Sequence, residues 1–130
     1  MADTPSDLKY TRDHEWIRTL DNGKVRIGIT EFAQKQLGDI VYVELPKVKD
    51  KFDAGEPFGS IESVKAVSEV YVPVAGTVAA VNESLDGEPE SVNDDPYGDG
   101  WLIELTLAKA ADLNGLLSAA KYEEYLREEA

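Results

Sequence analysis

The chain contains no cysteine, one histidine and one methionine. Without cysteine there is no disulfide, no thiol nucleophile and no cysteine-bound zinc. Any redox chemistry passing through this protein must import its sulfur. A lone histidine cannot make the paired-histidine metalloprotease helix, and it argues against a zinc site. A Gly-x-Ser-x-Gly nucleophile elbow is also missing. Basic residues are scarce, with 13 Lys and Arg against 26 Asp and Glu, a net charge of −13 and a pI near 4.3. Such a surface repels nucleic-acid phosphates and anionic membranes. It favours partners with basic docking patches, and it equally serves plain solubility. No apolar run reaches transmembrane length. The stretch Met1–Asp7 lacks the basic and apolar regions of a signal peptide and is too acidic for a transit peptide. A bacterial cytoplasmic protein is expected, with a processed mitochondrial form as the lesser alternative; the missing cysteine fits a reducing compartment.

What is present suffices for one domain. At 130 residues and 42% hydrophobic, the chain can bury a core without disulfides or metal. Residues 1–7 are expected to be flexible. Leu8–Trp16 reads as an edge element leading into Ile17–Leu20, and Asp21-Asn22-Gly23 as a turn. Lys24–Ile29 alternates as a strand does. Thr30 is placed to cap a short helix over Glu31–Leu37, closed by Gly38 in the left-handed conformation. Asp39–Leu45 is the next strand, followed by a charged loop over Lys47–Asp53. A strand at Thr77–Val81, an acidic loop over Asn82–Pro96 and a strand at Trp101–Leu107 follow. Ser118 can cap a last helix over Ala119–Glu128, with Leu117 and Tyr122 as a hydrophobic staple. Tyr122, Tyr125 and Leu126 form its apolar stripe, expected to pack on the sheets. Val41-Tyr42-Val43 recurs as Val70-Tyr71-Val72, as two facing, pseudo-twofold half-sandwiches would leave it.

Lys65 is the most informative residue. It lies between two short runs, Pro57–Val64 and Ala66–Val72, both rich in β-branched or aromatic residues. That places it at a hairpin tip, open to a modifying enzyme. On spacing alone an exposed turn lysine serves solubility or blunts an edge. Lys65-Ala66 also lacks the Asn-Gly or Gly-X chemistry of tight hairpins. Asp94, Asp95 and Asp99 crowd a glycine-containing loop, but EF-hand spacing is absent, so consecutive turns explain them and no metal site is expected.

Several segments, taken together and in order, resemble the glycine cleavage H-protein family. They are Asp13-His14-Glu15-Trp16, Gly28-Ile29-Thr30, Leu37–Pro46, Glu62-Ser63-Val64-Lys65-Ala66 and Asn93–Leu102. The resemblance runs from about Tyr10 to the C-terminal helix. It implies a mainly β fold, the lipoyl/biotinyl-type barrel-sandwich hybrid of two antiparallel sheets, with a short helix in the N-terminal half and a C-terminal helix. It implies lipoic acid in amide linkage on Lys65, and a carrier rather than an enzyme, with no catalytic residue of its own. The implied partners are a glycine decarboxylase (P protein), an aminomethyltransferase (T protein), a dihydrolipoamide dehydrogenase (L protein) and lipoate-attaching enzymes. No nucleic acid or membrane partner is implied, and a monomer is expected.

In that family an aminomethyl cation on the arm needs a dry cleft and an anion. The resemblance puts Glu15 on that amine, with Asp13, Glu69 and His14 as neighbouring contacts. A serine is often expected at the Asp13 position, so Asp13 is a departure. Glu62 is the candidate read by the lipoate-attaching enzyme. Two other readings stand beside this one. The first is a lipoyl or biotinyl carrier of another multienzyme system, whose lysine sits in Asp-Lys-Ala or Met-Lys-Met rather than Val64-Lys65-Ala66. The second is an unmodified acidic protein-binding module.

Overall fold

Apolar residues alternate through Lys24–Ile29, and Val25, Ile27 and Ile29 accordingly enter the core while Lys24 and Arg26 stay half-buried on the other side. The computed structural model describes residues 5–21, 23–108, 113 and 115–129. Its strands are β1 (Lys9–Tyr10), β2 (Glu15–Thr19), β3 (Lys24–Ile29), β4 (Ile40–Glu44), β5 (Lys51–Phe52), β6 (Pro57–Ser63), β7 (Val67–Tyr71), β8 (Gly76–Val81) and β9 (Ile103–Leu107). The helices are α1 (Glu31–Leu37), α2 (Ser91–Asp94) and α3 (Ala119–Glu129), with a 3-10 turn at Glu83–Asp86. Six strands form one sheet in the order β1-β2-β3-β9-β8-β5, and three form the other, β4-β6-β7. Every strand pairing is antiparallel. This is the expected mainly β, two-sheet fold, with α1 in the N-terminal half and α3 at the C-terminal end.

Ile17, Ile27, Val78 and Leu105 from the large sheet join Val43, Ile61 and Val70 from the small one in a single buried cluster. A second cluster gathers Leu8, Tyr10, Trp16 and Tyr122 under α3. Tyr10 and Tyr122 stack there with ring centroids 4.7 Å apart. The Trp16 indole crosses its strand partner Gly28, where an added Cβ would lie 2.6 Å from the ring. Its Nε1 donates to the Pro96 carbonyl at 2.8 Å. The Gly28 and Asn93–Leu102 motifs thus meet at one tryptophan.

The caps follow the sequence. Thr30 accepts from the Ala33 amide, and Ser118 from the Lys121 amide. Leu117 packs against the cluster that holds Tyr122, as a staple requires. Residue 22 of the expected turn lies outside the described residues, but Leu20 donates to the Lys24 carbonyl at 2.8 Å across it. The expected flexible segment, residues 1–7, lies mostly outside them as well.

Several expectations are corrected. Leu8–Trp16 is not one edge element. It divides into β1 and β2 because the Thr11 hydroxyl accepts from the Asp13 and Glu15 amides and folds the chain between them. The Lys47–Asp53 loop contains β5. Asn82–Pro96 is no open loop: it buries Leu85 and Val92 on its two helical turns. The strand expected from Trp101 begins at Ile103, since the Trp101 amide closes a turn onto Gly98. Gly38 has the positive φ expected, 81°, but its ψ of −154° lies outside the left-handed helical region, in territory only glycine enters readily. The repeated Val-Tyr-Val segments do not face one another. They belong to β4 and to β7 with its following residue, and both strands flank β6 in one sheet.

Candidate functional site

Lys65 stands exposed at the tip of the β6–β7 hairpin. The turn chemistry missing from Lys65-Ala66 comes from Ser63, two residues before the lysine. The Ser63 hydroxyl accepts from the Lys65 and Ala66 amides, both at 3.2 Å, while the Ser63 amide donates to the Ala66 carbonyl at 2.8 Å. Serine at the first position of a turn does this by design of its short side chain. The tip is tied down sideways, since the Val64 amide donates to the Asp39 carbonyl at 3.0 Å. Val64 and Val67 beside the lysine are 68% and 64% exposed. The lysine stem lies over Gly38, where a Cβ would come within 3.0 Å of Lys65 Cε.

Next to this tip a narrow cleft of ≈ 160 Å³ opens between the β1–β2 loop, α1 and the inner side of β6–β7. Ile29, Ala33, Leu37, Ile61 and Val70 make its apolar wall. Asp13, His14, Glu15, Gln36, Ser68 and Glu69 supply its polar groups. Three carboxyls therefore converge on one small cleft. Asp13 and Glu69 are exposed at its rim, whereas Glu15 is 2% exposed. Glu15 Oε2 accepts from the Tyr71 amide at 2.8 Å, and Oε1 from the Thr11 hydroxyl at 3.3 Å. No salt bridge among the described residues reaches it. Burial pushes the Glu15 carboxyl up from 4.5 to about 8; the Tyr71 amide opposes this, the Asp13 charge adds to it, and Thr11 opposes it.

His14 lines the cleft, but its ring is engaged elsewhere. Its Nδ1 lies 2.8 Å from the Tyr122 hydroxyl, which is also 2.8 Å from Thr30 Oγ1. Its backbone is left-handed, with φ 65°, an uncommon state for a non-glycine residue. The Thr30 amide donates to the His14 carbonyl at 3.0 Å and the His14 amide to the Thr11 carbonyl at 3.1 Å, which together hold that conformation. Glu62 is not in the cleft. It is exposed on the outer face of the small sheet, level with Tyr42 and Val67.

Residues that sequence reasoning passed over build the frame. Asn93 lies in a segment read as turns, yet it clamps α1. Its Oδ1 accepts from the Ile40 amide, and its Nδ2 donates to Gln34 Oε1 and the Gly38 carbonyl, each at 2.9 Å. The Tyr97 hydroxyl accepts from the Glu31 amide at 3.0 Å, at the other end of α1. Thr11, Ser63 and Ser68 complete the omissions. Only Ser63 carried a usable signal, a serine at the first position of the turn.

A second cavity of ≈ 250 Å³ lies behind the β1–β2 loop, lined by Thr11, Arg12, Asp13, Tyr71, Pro73 and Leu117 among others. Glu15 and Asp13 line it too, so Glu15 forms part of the partition between two cavities. A larger groove of ≈ 680 Å³ runs over the outer face of the small sheet and shares only Glu69 with the cleft. Size does not make it the site, because it contains no buried polar group. Among the described residues no cluster of metal-ligating side chains occurs.

A family model, Glycine cleavage H-protein, matches residues 8–129. The chain belongs to the glycine cleavage H-protein family. It is 51% identical over 130 residues to the glycine cleavage system H protein of Herpetosiphon aurantiacus, covering 100% of this chain and 98% of that one. It is 57% identical over 122 residues to that of Chromobacterium violaceum, covering 94% and 95%. A crystal structure of a glycine cleavage system H protein from Mycobacterium marinum superposes with a TM-score of 0.84 at 38% identity, covering 96% of this chain and 98% of that one. Membership in the H-protein family supports a carrier subunit of the glycine cleavage system with the lipoyl type of barrel-sandwich fold. It favours that reading over a carrier of another system or an unmodified binding module. Among the described residues no helix is long and apolar enough to cross a membrane.

Proposed function

We propose that this chain carries lipoic acid in amide linkage on Lys65 and shuttles an aminomethyl group within the glycine cleavage system. The donor is the glycine decarboxylase (P protein), the acceptor the aminomethyltransferase (T protein), and electrons pass to dihydrolipoamide dehydrogenase (L protein). The bacterial relatives favour a cytoplasmic setting. The lipoyl group, when bound, supplies the sulfur that the cysteine-free chain lacks and holds both the aminomethyl group and the reducing equivalents.

The residues present fit such a group. Lys65 offers an exposed amine on a rigid hairpin, and Gly38 leaves room beneath its stem. From there α1 presents Leu37 and Ala33 along the cleft, a short apolar track toward Glu15. The observation that carries the reading is Glu15 itself: a buried carboxyl without a cationic partner, in a cleft whose rim is also acidic. Burying a lone carboxyl is costly unless a cation joins it. A primary ammonium is such a cation. Glu15 holds it, Asp13 and Glu69 add negative field at the entrance, and the apolar wall keeps water away. His14 braces the loop through Tyr122 rather than touching the amine.

Glu62 faces outward beside Lys65, where a lipoate-attaching enzyme can read it. Intact mass with fragmentation, on protein from lipoate-supplied cells, tests the attachment. One lipoyl amide on Lys65, absent from Lys65→Arg, is expected, with slower attachment in Glu62→Ala. An unmodified Lys65 after incubation with a competent ligase would overturn the carrier reading. Glu15→Gln tests the cleft, because it keeps shape and removes charge. The aminomethyl adduct is expected to lose formaldehyde and ammonia roughly tenfold faster, the equivalent of one charge-assisted hydrogen bond; an unchanged lifetime would remove Glu15 from the site.

A further inference from the structure

Glu15 is the one buried carboxylate among the described residues, and it lines two cavities. The front cleft presents Ser68 and Glu69 from β7 and Gln36 from α1. The back cavity presents Thr11 and Arg12 from the β1–β2 loop and Tyr71 from β7. Asp13 reaches both. Arg12, the cation of the back cavity, lies over the Tyr125 ring, 5.8 Å from its centroid, and forms no salt bridge to Glu15. Glu15, itself buried, thus stands in the wall between the two cavities, with the back one beside it when the front one is filled.

We propose that Glu15 exchanges a proton for the cation: entry of an ammonium group into the front cleft makes the Glu15 carboxyl release its proton to solvent, and departure of the ammonium lets it take one back. This rests on the reading of the cleft given above. In the empty cleft a buried carboxyl beside the negative Asp13 is most stable neutral. On entry the O–H bond of Glu15 breaks, its electron pair stays on the carboxylate, and the proton passes to water. The carboxylate then pairs with the ammonium, so the cleft's net charge is unchanged by loading.

The hydrogen bonds suit the ionised state that loading creates. The Thr11 oxygen is occupied by two backbone amides, which leaves its own hydrogen for Glu15 Oε1. With the Tyr71 amide on Oε2, the ionised carboxylate has two donors waiting and lacks only a counter-charge. Burial holding the unloaded carboxyl near 8 is consistent with this. The consequence is functional. Loading is favoured by alkaline conditions, and an unloaded chain does not hold an unpaired buried charge while it waits.

Carboxyl carbon NMR on the intact lipoylated chain, labelled in glutamate, tests the proposal at pH 7. The Glu15 resonance is assigned as the one missing from Glu15→Gln. The expected result is a protonated carboxyl in the unloaded chain and an ionised one after loading with glycine and its decarboxylase. A carboxyl ionised in both states, or protonated in both, would overturn the exchange. The adduct lifetime in Glu15→Gln is measured beside it. A shortened lifetime with no change of ionisation refutes the exchange alone, whereas an unchanged lifetime refutes the cleft reading as well.

Discussion

Glu15 shows how a single residue can set a pH dependence for the whole fold. Its carboxyl binds a proton up to about 8 in the folded chain but only to the ordinary 4.5 when unfolded. Between those values the native state holds the extra proton, so folding stability falls as pH rises, by about 1.4 kcal/mol per unit at most. The contribution is complete below 4.5 and gone above 8. Glu15→Gln keeps the acceptor for Tyr71 and carries no charge. The variant is therefore expected to gain on the wild type steadily from pH 5 to pH 8, seen in urea midpoints across that range. Parallel pH curves for the two proteins would mean that the burial cost is met in another way. This effect was not legible in the sequence, where Glu15 is one acid among 26. Lys65 was legible, because its two flanking strand patterns are local.

Among the elements, α1 matters beyond its seven residues. Too short to hold itself, it is capped by Thr30, clamped by Asn93 and met at its first amide by Tyr97. Its C-terminal half forms one side of the cleft. Asn93→Ala strips partners from the Ile40 amide, Gln34 and the Gly38 carbonyl. A loss of about 2 kcal/mol is expected for such unsatisfied groups, with faster hydrogen exchange confined first to the amides of α1 and β4. Uniformly faster exchange would show Asn93 to be a global rather than a local clamp. The sequence announced the helix through Thr30 and Gly38. It gave no hint of the clamp, since Asn93 lies 53 residues from Ile40, and a side-chain contact at that separation has no local signature.

For the molecule as a whole, the charge of −13 governs encounter rather than fold. Glu44 and Glu62 lie on the outer side of the small sheet and Glu69 on its edge strand, where that side meets the cleft, and none takes part in a salt bridge among the described residues. Such a face attracts basic surfaces and repels its own copies. In the proposed carrier role, the rate of loading by the glycine decarboxylase is therefore expected to fall several-fold between low and physiological salt, while the chain's own thermal stability holds or rises. Stopped-flow loading at increasing ionic strength checks this; a rate independent of salt would leave the acidity to solubility alone.

By itself the sequence determined what is local: the alternation of β3, both helix caps, the hairpin around Lys65, and the ordered motifs that resemble one family. These are legible because propensity, capping and periodicity act within a few residues. Tertiary structure decided what depends on distant residues meeting. It folded Leu8–Trp16 into two strands, turned Asn82–Pro96 from a loop into the clamp of α1, and hooked His14 to Tyr122. It brought Asp13, Glu15 and Glu69 to one cleft and sent Glu62 outside. Above all it buried Glu15, and burial is a property of everything packed around a group, which no stretch of sequence encodes on its own.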